Sequence, residues 1–201
     1  MIVSRLKRLF IGGSAGNEQL TLAIAALLIV LLAVEGATIL RIGSLLTVHA
    51  FVGMLLIPVV ALKLASTGWR MLRYYLGSRE YVALGPPPIV LRAIVAPALI
   101  LSTVVLFGTG VALLALGQTE GVVVGLHKAS FIVWFGAASA HVLAHVSKLP
   151  QLLRVRAAGV GVRIALLAGA LAAGLFLAVA TLPAADQLQD QATAHMHLDA
   201  D

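Results

Sequence analysis

Cysteine is absent from this chain of 201 residues. Its absence excludes disulfide bonds, cysteine-ligated iron–sulfur clusters, c-type haem attachment and thiolate zinc sites within the chain. Any metal or metal-containing cofactor must therefore be held by histidine, carboxylate or methionine side chains. Charged residues are also scarce, at 11%, whereas 61% of the residues are hydrophobic. A soluble domain of this size could not keep so much apolar surface out of water, so the composition indicates a membrane protein.

The formal net charge of +6 does not indicate nucleic-acid binding. Almost all the basic residues lie in segments between the apolar runs, where Lys and Arg report membrane orientation and contact with anionic lipid. We therefore expect membrane lipid as a partner and no nucleic acid.

Five apolar runs reach the length of about 20 residues that an α-helix needs to cross a bilayer. They cover residues 19–40, 45–67, 90–116, 122–146 and 162–182. The predicted fold is an all-α bundle of five transmembrane helices, in which short connections make the first and second spans, and the third and fourth, antiparallel neighbours. The chain then divides into a basic cytoplasmic or interfacial lead (1–18), the transmembrane domain (19–182) and an acidic, disordered outer tail (183–201).

The distribution of basic residues predicts the orientation, because Lys and Arg accumulate on the cytoplasmic side. The outer connections would carry only Arg41 and Lys128. The inner segments would carry Arg5, Lys7, Arg8, Arg70, Arg73, Arg79, Arg92, Lys148, Arg154, Arg156 and Arg163. We expect a multi-pass protein of the cell membrane with its N-terminus inside and its C-terminus outside.

Four of the six histidines lie inside predicted spans, namely His49, His127, His141 and His145. An ionisable residue within a membrane helix is costly, so it indicates a functional site by default. His49 lies near the start of the second span and His127 near the start of the fourth, and both spans run from outside to inside. The two imidazoles are therefore predicted to lie at the same depth, just below the outer surface.

A second spacing connects these histidines to the inner half of the bundle. Lys63 follows His49 by 14 residues, and His141 follows His127 by 14 residues. Fourteen residues are close to four helical turns, so each pair shares roughly one face and is separated by about 21 Å along the axis. If the two faces oppose each other, they enclose an outer site with two imidazoles and an inner site with Lys63, His141 and His145.

Two histidines from two helices at equal depth fit the axial ligation of a low-spin haem b, whose iron takes one neutral imidazole nitrogen on each side. Gly53, one turn below His49, would leave room for the flat macrocycle. Arg41, close to the outer boundary, could pair with haem propionates. Lys128 could do the same, although snorkelling toward lipid headgroups explains it equally well.

Helices whose histidines are separated by thirteen residues resemble those of the bis-histidine membrane b-type cytochromes, including the ferric-reductase-like and cytochrome b561-like transmembrane domains. The resemblance covers roughly residues 45–146 and depends on a spacing rather than on a signature string. It implies His49 and His127 as outer haem ligands and His141 as an inner ligand. Lys63 stands where the family has its second inner histidine, so a second haem stays an open question. The sequence carries no dinucleotide-binding fingerprint.

Three further residues have competing interpretations. Lys63 could bind haem, line a quinone pocket or extend its ammonium toward the inner surface. His145, just before Ser147 and Lys148, is more simply an interfacial residue. Glu35, near the depth of His49, could accept protons from a quinol, pair with Arg41, or remain neutral and locally hydrogen-bonded.

No nucleophile, catalytic triad or acidic dyad is evident, so the chemistry would belong to the cofactor. The sequence predicts electron transfer between a quinol or inner donor and an outer acceptor or partner subunit, by a transmembrane oxidoreductase or its cytochrome b subunit. One alternative is a proton or metal transporter or channel that uses the intramembrane histidines, Lys63 and Glu35. Five spans without inverted repeats argue mildly against a transporter. Another is a haem-free assembly subunit whose histidines only join helices.

Overall fold

The computed structural model describes residues 13–86, 88–150 and 158–198, and in these ranges the chain forms helices and no strand. Five of the described helices are long and apolar enough to cross a membrane, which confirms the predicted all-α fold with five spans. The spanning helices are α1 (Gly13–Ile39), α2 (Ile42–Tyr75), α4 (Ala96–Leu116), α5 (Val122–His145) and α6 (Val160–Ala180). A short helix α3 (Arg79–Val82) follows α2, a π-helical turn (Leu91–Val95) leads into α4, a 3-10 turn (Val146–Lys148) extends α5, and α7 (Leu182–Leu198) follows α6.

Two antiparallel hairpins, α1–α2 and α4–α5, form as the short connections predicted. The second hairpin turns between two glycines in the left-handed region, where a side chain would be strained. Gly117 ends α4 with φ 62° and donates its N–H to the Leu113 carbonyl, and Gly121 precedes α5 with φ 94°. This turn fixes where α5 begins, and hence how far His127 lies from the end of its helix.

Helix α2 is the centre of the bundle, because it packs against α1, α6 and α7. Its side chains Leu56 and Val59 are almost fully buried together with Ile24 of α1. On the α6 side, Gly174 lies so close to the Leu55 carbonyl oxygen that an added Cβ would overlap it. The backbones of α2 and α6 therefore touch, and small residues at such crossings are what membrane helices use to approach closely.

Helix α5 is attached differently. It packs against α4, is the least buried of the five spans, and does not pack closely against α2 within the described residues. Ser130 is the one buried residue of this fully described helix. Side chains rather than backbone packing therefore connect α2 with α5. We call the end of these two helices that carries His49 and His127 the His49 end, and the opposite end the Lys63 end.

The segment after residue 182 differs from the disordered tail that the sequence predicted. Residues Leu182–Leu198 form α7, and residues 199–201 lie outside the described ranges, as do residues 1–12 of the predicted basic lead. Ala185 and Leu188, one helical turn apart, are buried against Met54, Leu114 and Ala178. This short apolar stripe, set among Asp and Gln residues, explains why the segment packs on the bundle although its composition is polar.

Helix α7 also completes the start of α2. Leu45 has a non-helical backbone (φ −121°, ψ 20°), so the regular part of α2 begins after it with N–H groups that lack helical acceptors. Gln189 supplies one: its Oε1 accepts from the N–H of Leu46 at 2.8 Å and lies 3.4 Å from that of Thr47. Its Nε2 donates to the Gly43 carbonyl at 2.6 Å. Gln189 thus caps α2 one turn before His49.

Candidate functional site

The structure brings together the two histidines that the sequence placed at one depth. The ring centroids of His49 on α2 and His127 on α5 are 6.4 Å apart, and the ring planes are almost perpendicular, at 88°. Both side chains are partly buried. These imidazoles bridge α2 and α5 where the two helices do not otherwise pack closely.

The surroundings of His127 determine which ring nitrogen carries its proton. His127 Nδ1 lies 3.1 Å from the Leu106 carbonyl oxygen and 3.0 Å from Thr109 Oγ1, both on α4. A carbonyl oxygen can only accept, so Nδ1 is the donor. In the neutral imidazole the lone pair then resides on Nε2, the nitrogen that a metal ion would use.

His49 has the same arrangement on the first hairpin. Its Nδ1 lies 2.9 Å from Thr38 Oγ1 and 3.0 Å from Glu35 Oε1, both on α1. Thr38 donates its own hydroxyl proton to the Glu35 backbone carbonyl at 2.6 Å, so its oxygen is free to accept from His49. The lone pair of His49 is again left on Nε2.

Each histidine is therefore oriented by the helix that precedes it. A threonine and a second acceptor on the first helix of the hairpin hold Nδ1 of the histidine on the second. Sequence reasoning did not identify Thr38 or Thr109. A signal was present, since antiparallel pairing of two helices joined by a short turn places the end of the first beside the start of the second.

Two glycines lie beside the histidines and their hydrogen-bond partners. At Gly110 of α4, an added Cβ would lie 3.2 Å from His127 Cε1, closer than a relaxed contact allows. At Gly53 of α2, an added Cβ would lie 3.5 Å from Glu35 Oε1, an ordinary contact distance. The space beside Gly53, which the sequence assigned to a macrocycle, borders the Glu35 carboxyl group, and Gly110 is the glycine that the imidazole packs against.

At the Lys63 end, the lysine is engaged by α1. Lys63 Nζ donates to the Thr21 carbonyl at 2.8 Å, and the next turn continues the network, because Thr21 Oγ1 and Ser66 Oγ are 3.0 Å apart. Asn17 Nδ2 donates to the Ser66 carbonyl at 3.1 Å. Lys63 thus takes part in the packing of α1 on α2, a role that the sequence did not predict.

His141 and His145 lie together on the last turns of α5. Their rings stack with centroids 4.6 Å apart and an angle of 27°, and His145 Nδ1 lies 2.9 Å from the His141 carbonyl oxygen. Lys63 bonds to α1, whereas both of these histidines lie on α5, which does not pack closely against α2 within the described residues. Unlike His49 and His127, these two rings come from one helix and do not face each other across a gap.

Arg41 and Lys128, predicted as partners of haem propionates, are both exposed near the His49 end. Arg41 lies in the turn between α1 and α2, and Glu35 contacts His49 rather than this arginine. Within the described residues no group of three or more His, Asp or Glu side chains is arranged to hold a metal ion. A site built on two imidazoles does not need such a group.

Comparison with known protein families, with curated proteins and with solved structures found no match for this chain.

Proposed function

We propose that this membrane protein binds haem b between His49 and His127 and transfers electrons. The observation that carries the proposal is the pairing of two imidazoles whose Nδ1 atoms are both hydrogen-bonded to protein acceptors. Each ring therefore keeps its Nε2 lone pair for a metal. Histidine ligands of metals are typically held in this way, because the outer hydrogen bond fixes both tautomer and ring direction.

The distance between the rings supports the same proposal. Two imidazoles on opposite sides of one metal ion, with metal–nitrogen bonds of about 2.0–2.1 Å and a ring radius of about 1.1 Å, have centroids about 6.3 Å apart. The centroids of His49 and His127 are 6.4 Å apart. Each imidazole is hydrogen-bonded within its own hairpin rather than to the other ring.

The loose attachment of α5 is a further support. A cofactor that lies between α2 and α5 would contact both helices and cover part of the exposed surface of α5. Thr38 and Glu35 would hold His49 on the side of its ring away from the cofactor. Thr109 and Leu106 would hold His127 in the same way. Arg41 and Lys128 are exposed near the His49 end, where they would meet anionic groups at the membrane boundary.

When bound, the haem iron supplies one-electron redox chemistry. The site lies at the end of the bundle that the basic residues predict to face outward, so we propose an acceptor or partner subunit on that side. A quinol or an inner protein would be the donor. Lys63 and His141 remain candidates for contact with a quinone or a second haem, and neither residue is part of the central proposal.

The proposal is tested by replacing each ligand. H49A and H127A, expressed with ample haem and purified in detergent, should each lose the haem measured per polypeptide by pyridine haemochrome. H145A is the matched control, because it removes a partly buried histidine from the same helix as His127 and should keep the haem of the wild type.

Added imidazole distinguishes a lost ligand from a misfolded chain. In H127A the deleted ring leaves space beside Gly110, so imidazole in the buffer should restore part of the haem content. Normal haem content in both alanine variants would contradict the ligand assignment, and so would an equal loss in H145A.

A further inference from the structure

The two histidines differ in what holds them, and the difference is Glu35. His127 bonds to neutral acceptors, a carbonyl and a hydroxyl, whereas His49 Nδ1 lies 3.0 Å from a carboxyl oxygen. The Glu35 side chain is only 15% exposed, and its second oxygen, Oε2, is buried without a hydrogen-bond partner among the described residues. His49 is therefore the only partner of this carboxyl group within the described part of the chain.

The hydrogen-bond directions around His49 leave Glu35 as an acceptor. The Thr38 hydroxyl proton goes to the Glu35 backbone carbonyl, so the single N–H of His49 Nδ1 donates to Thr38 Oγ1 and lies 3.0 Å from Glu35 Oε1, which can share it. If the carboxyl group instead donated a proton from Oε1 to Nδ1, the imidazole proton would lie on Nε2. That nitrogen could then not bind a metal. Glu35 and Thr38 together thus select the tautomer that a metal ligand needs.

A carboxylate that accepts from the outer nitrogen of a metal-binding imidazole makes that ligand more basic than a carbonyl does. An ionised Glu35 would also place negative charge near the iron. Both effects stabilise the ferric form, and second-shell hydrogen bonding is one of the means by which a protein sets a haem potential.

We propose that Glu35 is a positioning residue that makes His49 the stronger of two unequal haem ligands and lowers the midpoint potential of the haem. This inference rests on the proposed haem site. Glu35 touches neither the iron nor a substrate, so its effect passes through His49.

The experiment is a redox titration of the purified haem-loaded protein, comparing the wild type with E35Q. Glutamine keeps an oxygen that can accept from Nδ1 but removes the carboxylate, so E35Q should keep its haem and have a more positive midpoint potential. E18Q is the matched control, with the same substitution on the same helix far from His49, and its potential should equal that of the wild type.

The outcomes separate this inference from the function on which it rests. If the wild type binds no haem, the proposed function fails. If haem binds and the E35Q potential is unchanged, or E18Q shifts equally, the role of Glu35 is overturned. If E35Q loses its haem, E35D is measured beside it: recovery with the shorter carboxylate supports the positioning role, and loss in both variants contradicts it.

Discussion

At the scale of single residues, the acceptors around Nδ1 decide what each imidazole can bind. A partly buried histidine in a membrane helix could equally donate from Nε2 to a neighbouring helix and serve only for packing. Leu106 and Thr109 remove that option at His127, because the ring proton is already placed on Nδ1. The Leu106 carbonyl oxygen on α4 thus leaves Nε2 of His127 available to bind a metal, which makes this histidine a candidate ligand.

Gly110 gives a test at this scale. In G110A the new Cβ would lie 3.2 Å from His127 Cε1, so the ring must shift by a few tenths of an ångström, which would disturb the bonds from Nδ1 to Leu106 and Thr109. We expect G110A to fold and to bind less haem than the wild type, measured by pyridine haemochrome.

Gly108 is the matched control, since it lies on the same helix and an added Cβ there would meet nothing within 4 Å. G108A should bind haem like the wild type. Equal haem content in G110A and G108A would show that contact between α4 and the His127 ring does not matter.

The proximity of His49 and His127 could be predicted from the sequence, because membrane histidines are rare and their depth follows from counting. Their partners could not. Which side of α1 meets His49 depends on the rotation of one helix about its axis against the other, and a run of apolar residues does not determine that rotation. The interpretation of Gly53 had the same weakness, because the space it leaves borders a carboxyl group on α1.

At the scale of helices, α7 differs most from the expectation, because its composition predicted a disordered tail and the segment forms a helix. Its Asp and Gln residues suggested a solvated terminus, yet Ala185 and Leu188 are buried and Gln189 bonds to the start of α2. Most helical stability in proteins comes from packing of an apolar face rather than from propensity, and packing on the bundle accounts for α7 in the same way.

The Gln189 cap predicts a measurable loss of stability. Q189A removes the acceptor for the Leu46 N–H and the donor to the Gly43 carbonyl, and losing a cap of this kind costs about 1 kcal/mol. Thermal unfolding in detergent should show a lower midpoint for Q189A. Because the cap lies one turn before His49, haem binding should weaken as well.

Gln187 provides the control, since its side chain is exposed on the same helix. Q187A should unfold at the temperature of the wild type. If Q189A did so too, the capping role of α7 would be refuted.

At the scale of the whole molecule, the same arrangement occurs in two hairpins. In α1–α2 and again in α4–α5, a threonine on the first helix holds a histidine near the start of the second, and the two histidines meet. The two hairpins contribute one imidazole each to the gap between α2 and α5. The sequence predicted both hairpins and the matched depth, whereas the repeated threonine contacts emerged only from the folded arrangement.

The two ends of the bundle also differ at this scale. At the Lys63 end, the lysine bonds within the α1–α2 hairpin and the two histidines stack on one helix. We therefore expect one haem per chain, at the His49 end.

The most direct test of haem b binding between His49 and His127 is the reduced-minus-oxidised absorbance spectrum of the purified protein after expression with ample haem. We predict a sharp b-type α band with the spectral form of a low-spin, bis-histidine haem, at one haem per polypeptide. A featureless difference spectrum from folded protein would contradict it.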